Sequence, residues 1–167
     1  FNSERLPKGL SLALGSATVT PMEIARGYAS FANGGYLINP FFIARIEDQD
    51  GAIVEYANRE MICPDCPAPQ TKTGSNQNRI VDSRFAPRII SEENAFIIDS
   101  LMKEVVSNGT AKAAMQLNRS DLAGKTGTTN NYFDAWFTGY NPDVVTSVWV
   151  GFDSPQDLGK GESGARA

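Results

Sequence analysis

The sequence contains no histidine. This removes the usual general base and the commonest metal ligand. A Ser-His-Asp triad and a histidine-based zinc site are both excluded within the chain, and base chemistry must use lysine, tyrosine or a carboxylate. Cysteine is nearly absent: two residues, Cys63 and Cys66, stand in Cys63-Pro64-Asp65-Cys66-Pro67. One such pair is half of a zinc ribbon, and no second pair exists. A thioredoxin-like motif would follow a strand and open a helix, whereas prolines flank this one in a loop. A local disulfide or two free thiols is preferred here over metal or redox chemistry. No apolar run approaches the roughly 18 residues of a membrane span, and no signal peptide opens the chain. Excess basic charge is missing too. The net charge is -4 and the pI about 4.8, which argues against a nucleic-acid partner, although a local cationic pocket can sit on an acidic surface.

What is present is globular. Of 167 residues, 41% are hydrophobic and 20% charged, enough for one domain with a core. The chain begins at Phe1 without Met and ends in a Gly-rich stretch. Both ends are expected to continue into a larger polypeptide.

Residues 1–17 form a mixed apolar segment. Thr20 is a good helix N-cap, Pro21 fits the first helical position, and Glu23 suits the positive N-terminal end. Met22, Ile24, Ala25, Tyr28, Ala29 and Phe31 or Ala32 then recur at helical spacing, until Asn33-Gly34-Gly35 stops the helix. Tyr36 to Ile46 reads as extended chain, Asp48-Gln49-Asp50-Gly51 as a turn, and Ala52 to Tyr56 as a returning strand. Residues 58–88 lack periodicity and carry four prolines (Pro64, Pro67, Pro69 and Pro87), so a long surface loop or insertion is expected there. Ser91 with Asn94 opens a second helix whose buried stripe is Ala95, Ile98, Leu101, Met102, Val105 and Val106. Asn108-Gly109 ends it, and Thr110 is expected to cap a short third helix through about Gln116. The last third changes period: Leu122 to Thr128, Phe133 to Tyr140 and Val144 to Phe152 read as three strands of an antiparallel meander. Helices followed by a meander argue an α+β fold, an antiparallel sheet flanked by helices.

Chemistry concentrates in Ala123-Gly124-Lys125-Thr126-Gly127-Thr128-Thr129. A P-loop needs a glycine where Arg119 stands and a helix after the lysine, and neither is offered. A lone Lys-Thr-Gly on an edge strand can also be ordinary surface. The third reading is the Lys-Thr-Gly element of serine acyl-transferases that react with penicillin. Side chains alternate along a strand, so Thr126 and Thr128 share one face, where two hydroxyls can hold a carboxylate. Lys125 adds positive potential and can bond a catalytic serine. Gly127 allows close approach of an acyl group, and the Thr128 N–H can point at a developing oxyanion.

The wider chain decides between these readings. Leu6-Pro7-Lys8-Gly9-Leu10-Ser11-Leu12-Ala13-Leu14-Gly15-Ser16 precedes Val19-Thr20-Pro21-Met22-Glu23-Ile24-Ala25 and Tyr28-Ala29-Ser30-Phe31-Ala32-Asn33-Gly34-Gly35. Asn108-Gly109-Thr110-Ala111 comes before the tripeptide; Asp134-Ala135-Trp136-Phe137-Thr138-Gly139-Tyr140 and Val148-Trp149-Val150-Gly151-Phe152-Asp153 follow it. In this order the series resembles the transpeptidase domain of class A penicillin-binding proteins, most like the 1A type of Gram-negative bacteria, over nearly the whole chain. The resemblance implies part of a penicillin-binding transpeptidase or serine β-lactamase-like domain spanning residues 1–167. It implies a serine D,D-transpeptidase that cross-links peptidoglycan stem peptides ending in D-Ala-D-Ala and is acylated by β-lactams. Lys125 and Thr128 would be catalytic, and Thr126, Gly127, Thr128 and Thr129 would bind substrate, with no cofactor or metal. Full-length members also carry a glycosyltransferase domain and a membrane anchor, at the periplasmic face of the bacterial inner membrane. A D,D-carboxypeptidase or β-lactamase relative, or a β-lactam-sensing module, are the alternatives.

Two elements of that family's site are missing: a nucleophile in Ser-x-x-Lys and a Ser-x-Asn. Ser100-Leu101-Met102-Lys103 matches the first literally, but Ser100 lies well inside the second helix, away from the N-terminal groups that assist a nucleophile. It reads as an ordinary helix serine, and the nucleophile is expected upstream, in the other half of the domain. Trp136 and Trp149 read as sheet-packing aromatics. Asp134 reads as a strand-end contact or an orienting group, and Asn130 and Asn131 as a polar loop.

Overall fold

In the computed structural model, the described residues are 3–65, 85–159 and 161–167. Among the described residues, two α-helices, α1 (Pro21–Ala32) and α2 (Glu92–Ser107), accompany two antiparallel sheets. The smaller pairs β1 (Arg45–Glu47) with β2 (Ile53–Tyr56); the larger runs in the order β3 (Ala123–Thr128), β4 (Asp134–Tyr140), β5 (Val145–Gly151). Short 3₁₀ turns cover Ser3–Arg5, Leu10–Leu14, Lys112–Leu117 and Asn130–Tyr132. The α+β expectation and the antiparallel meander are both observed.

Local chemistry explains where the helices begin. Thr20 Oγ1 accepts from the Glu23 N–H at 3.2 Å, and the Glu23 carboxylate accepts from the Thr20 N–H at 2.9 Å. This capping box satisfies two donors that the first turn leaves orphaned. The bond from the Thr20 backbone holds the Glu23 carboxyl below its ordinary range. At α2, Ser91 Oγ accepts from the Asn94 N–H at 3.3 Å. Where α1 ends, the Asn33 side chain bonds Tyr36 at both its carbonyl and its N–H. Arg88 then stacks over the buried Tyr36 ring, 4.4 Å from its centroid, and donates to the Gly34 carbonyl and the Tyr36 hydroxyl. This clamp joins the chain after α1 to the chain before α2.

Several expectations shift. The extended chain from Tyr36 forms a strand only at Arg45–Glu47, and all seven residues of the β1–β2 hairpin are exposed. Its turn is as expected, with the Asp48 side chain accepting from the Asp50 and Ala52 N–H groups. The expected third helix is a 3₁₀ turn starting at Lys112, and its N-cap is Ala111, not Thr110. Within the expected loop at 58–88, residues 66–84 lie outside the described residues. The described margins touch: Met61 bridges Phe85, and the Ala86 N–H bonds the Met61 carbonyl at 2.9 Å. Cys63 is disulfide-bonded; Cys66 lies outside the described residues.

Strand alternation gives the larger sheet two faces. One carries Ala123, Lys125 and Gly127, paired with Tyr140, Thr138 and Trp136; the other carries Gly124, Thr126 and Thr128, paired with Gly139, Phe137 and Ala135. Helix α2 lies along β3, and α1 lies against β4 and β5. The buried positions are mostly small: Ala95, Val106, Ala111, Ala123 and Ala135, with Tyr36 and Tyr140. Leu101, expected in the buried stripe of α2, is 58% exposed. Ala95 and Val106 are buried and Ile98, Asp99, Met102 and Val105 half-buried, and Leu101 falls at the edge of that stripe. Met22 of α1 is likewise exposed.

Tyr140 ties the sheet to both helices. Its hydroxyl donates to Asp99 Oδ1 at 3.1 Å, its ring meets Tyr28 edge-on, and Asp99 is also paired with Lys103 at 2.7 Å. Burial, then the Asp99 charge and hydrogen bond, push the Tyr140 phenol far above its ordinary value of 10.0. The folded state therefore favours the neutral phenol. That contribution is complete below about pH 10 and is lost as the pH rises from there toward the folded value. Tyr140→Phe is expected to cost about 1 kcal/mol at pH 7 and to lose less stability than the parent between pH 9 and 11, measured as urea midpoints. An identical alkaline loss in the two proteins contradicts the assignment.

Candidate active site

Strand β3 is an edge of its sheet, with β5 at the other. The Thr129 N–H bonds the Asp134 carbonyl at 3.1 Å, and Thr129 Oγ1 accepts from the Asp134 N–H at 2.8 Å. This closes the β3–β4 connection. Backbone groups alternate direction along an antiparallel strand, so with Thr129 turned toward β4 the N–H of Thr128 points off the open edge.

The side chains of the strand each find a different partner. Lys125 is exposed, and its ammonium donates to the Thr126 carbonyl at 2.8 Å. Thr126 Oγ1 is 2.6 Å from Thr110 Oγ1. Thr128 Oγ1 accepts from the Gly164 N–H at 3.0 Å. The strand thus offers an ammonium on one face, two hydroxyls on the other, and a backbone donor at the edge. An anionic group with acceptor oxygens suits that set.

Aromatic packing steadies the sheet behind the strand. The Phe137 ring lies across Gly124 and Gly139: a Cβ at Gly139 would sit 2.9 Å from it, and one at Gly124 would sit 3.2 Å from it. Trp136 and Trp149 are neighbours at 6.1 Å. Trp149 folds over Gly151, where a Cβ would come within 2.5 Å of the indole, and its Nε1–H donates to Asp134 Oδ1 at 2.8 Å. Asp134 is thus a strand-end contact. The connection before it places two non-glycine residues in the left-handed region, Asn131 (φ 67°) and Tyr132 (φ 57°). The Leu158 N–H bonds the Tyr132 carbonyl at 2.9 Å, so the segment after β5 holds this turn.

The competing sequence readings do not assemble. Ser100 Oγ donates to the Phe96 carbonyl at 2.8 Å, one turn back in α2, while Lys103 pairs with Asp99. Arg119, where a P-loop needs glycine, forms an ion pair with Asp121 at 2.6 Å. That pairing raises the guanidinium and lowers the carboxyl from their ordinary values. A 3₁₀ turn, not a phosphate-binding helix, follows β3. Among the described residues, no group of three or more His, Cys, Asp or Glu could hold a metal, and no helix is long and apolar enough to cross a membrane. Two site residues escaped the sequence. Thr110 was expected only as a cap, and Gly164 lay in what read as a Gly-rich end. The hydroxyl directly after the Asn108-Gly109 helix stop was the available signal for Thr110. Nothing local marked Gly164.

The family model for the penicillin-binding protein transpeptidase domain matches residues 5–167. The chain belongs to that family. It is 44% identical to penicillin-binding protein 1A of Pseudomonas aeruginosa over 98% of this chain and 23% of that protein. It is 42% identical to penicillin-binding protein 1A of Neisseria meningitidis over 96% of this chain and 18% of that protein. Among solved structures, penicillin-binding protein 1A from Haemophilus influenzae superposes with a TM-score of 0.82 at 39% identity, covering 98% of this chain and 26% of that one. A D,D-transpeptidase domain of a peptidoglycan glycosyltransferase from Eggerthella lenta shares the fold, at a TM-score of 0.61 and 24% identity. The 1A-type resemblance drawn from the motifs therefore stands. The chain spans less than a quarter of the length of the curated relatives it matches.

The seating of Trp149 on Gly151 can be tested directly in this penicillin-binding protein segment. Gly151→Ala is expected to displace the indole, break its bond to Asp134 and cost about 1–3 kcal/mol. Near-ultraviolet circular dichroism and urea unfolding read both effects. An unchanged tryptophan signal in a stable variant contradicts the packing.

Proposed function

We propose that this chain forms the Lys-Thr-Gly wall of a serine D,D-transpeptidase that cross-links peptidoglycan stem peptides. The observation that carries the reading is the arrangement on β3: two hydroxyls on one face, an ammonium on the other, and a backbone N–H off the open edge. Membership in the penicillin-binding transpeptidase family supplies the reaction class.

In this reading the serine comes from the domain's upstream half. Its oxygen attacks the penultimate D-Ala carbonyl of a D-Ala-D-Ala peptide. A tetrahedral oxyanion forms, and the Thr128 N–H stabilises it as a preorganised donor. The C–N bond then breaks, and terminal D-Ala leaves with a proton on its nitrogen. An amine of a second strand displaces the serine and takes the acyl group. Thr126 and Thr128 bind the substrate carboxylate through their hydroxyls. Lys125 adds positive potential beside the serine, and Gly127 keeps the strand face clear for the acyl group. Thr129 holds the strand's end in place and meets the stem peptide. A β-lactam is attacked at its ring carbonyl in the same way and keeps the serine acylated. The whole protein would be a membrane-anchored glycosyltransferase and transpeptidase working at the periplasmic face of the inner membrane.

The test uses the full-length polypeptide carrying this segment, in separate reactions with a fluorescent penicillin and with a donor stem peptide plus an acceptor amine. Labelling by the penicillin, with transfer of the stem-peptide acyl group to the amine, supports the reading. Release of the stem-peptide acyl group to water alone makes the protein a carboxypeptidase, and labelling by the penicillin with no turnover of the stem peptide makes it a sensor. Lys125→Ala is expected to slow acylation roughly 100-fold or more with an unchanged melting temperature, because the side chain is exposed. Unfolding of that variant would assign the lysine a structural role. Thr128→Val is expected to be milder, about tenfold, since the backbone donor survives.

A further inference from the structure

The segment after β5 returns to the strand that carries the site. Gly164 is buried, in a turn closed by the Arg166 N–H on the Ser163 carbonyl at 2.8 Å. Its main chain lies over the Gly127–Trp136 pair of the β3–β4 ladder. A Cβ at Gly164 would fall 2.1 Å from the Trp136 oxygen, 2.4 Å from the Gly127 oxygen and 2.8 Å from the Gly127 nitrogen. All three are backbone atoms held in the ladder, so an added Cβ would push the Gly164 segment off the strand and leave the ladder in place. Gly164 is not among the residues with positive φ, so room rather than conformation demands glycine here. From this seat its N–H donates to Thr128 Oγ1 at 3.0 Å.

A threonine hydroxyl has one proton and two lone pairs. A carboxylate has only acceptors, so a hydroxyl binds it only by donating. The Gly164 N–H fills a lone pair of Thr128 and leaves the proton free; accepting one bond also strengthens the next donation. We propose that Gly164 is a positioning residue that holds the Thr128 hydroxyl as a donor toward the carboxylate of the bound acyl donor. The role rests on the transpeptidase reading, whereas the hydrogen bond can be tested without it.

Both arms use the full-length polypeptide. In the first, Gly164→Ala is expected to slow acylation by a penicillin with a free carboxylate about tenfold, the effect of one charge-assisted bond. With the methyl ester of the same penicillin the change is expected to stay within about twofold, since an ester no longer needs that donor. Thr128→Val combined with Gly164→Ala is expected to be no slower than Thr128→Val alone, because the two act through one hydroxyl. In the second arm, Thr128→Val is expected to speed hydrogen exchange of the Gly164 amide about tenfold, while Thr128→Ser retains its protection. This arm decides the contact even if Gly164→Ala folds poorly. Equal losses with acid and ester, additive losses in the double variant, or unchanged exchange in Thr128→Val overturn the proposal. A parent protein that no penicillin labels overturns the transpeptidase reading and this role with it. A labelled parent with no loss in a folded Gly164→Ala protein overturns the role alone.

Discussion

The register between β3 and β4 governs what the site can be. Ala123 to Thr128 pairs with Tyr140 back to Ala135 without a slip. A displacement of one residue would move Lys125 to the face that holds the hydroxyls and turn both threonines away from it. Contacts at the two ends prevent this. At one end Thr129 and Asp134 are joined through backbone and side chain. At the other the Tyr140 hydroxyl reaches Asp99 in α2, and its ring meets Tyr28 in α1. Between them the Phe137 ring occupies the space that Gly124 and Gly139 leave empty. The chemistry of the tripeptide is thus inherited from packing on residues that carry no chemistry themselves.

Much of the fold was legible because its causes are local. Thr20, Pro21 and Glu23 sit within one turn and build their own cap, and Ser91 with Asn94 does the same. Strands β4 and β5 were marked by aromatic and β-branched residues, β3 only by a polar strand-like run, and Asp50-Gly51 marked the hairpin turn. Depth was less legible. Periodicity places Leu101 near the core, but the buried residues of α2 are Ala95 and Val106, and Leu101 lies off that line and stays outside. The expected third helix is a 3₁₀ turn with Ala111 at its N-cap, while Thr110, its expected cap, meets Thr126 instead.

The candidate site divides along the same line. Alternation along a strand needs only the sequence, so the shared face of Thr126 and Thr128 could be read in advance. The partners of those hydroxyls could not, because Thr110 and Gly164 are 16 and 36 residues away in the chain. One arrives from the end of a helix and the other from the segment after the last strand. Their meeting is a property of topology, and no local pattern encodes it.

The open edge of β3 has a consequence for the life of the chain before and after folding. An unpaired strand is a template on which another chain can add, and proteins guard such edges with charge and with poor strand formers. Gly124-Lys125-Thr126-Gly127 meets that need: two glycines weaken any strand laid against it, and an exposed lysine repels a second copy of itself. The residues proposed to serve acyl transfer would therefore also keep an exposed sheet margin from recruiting its own kind into aggregates.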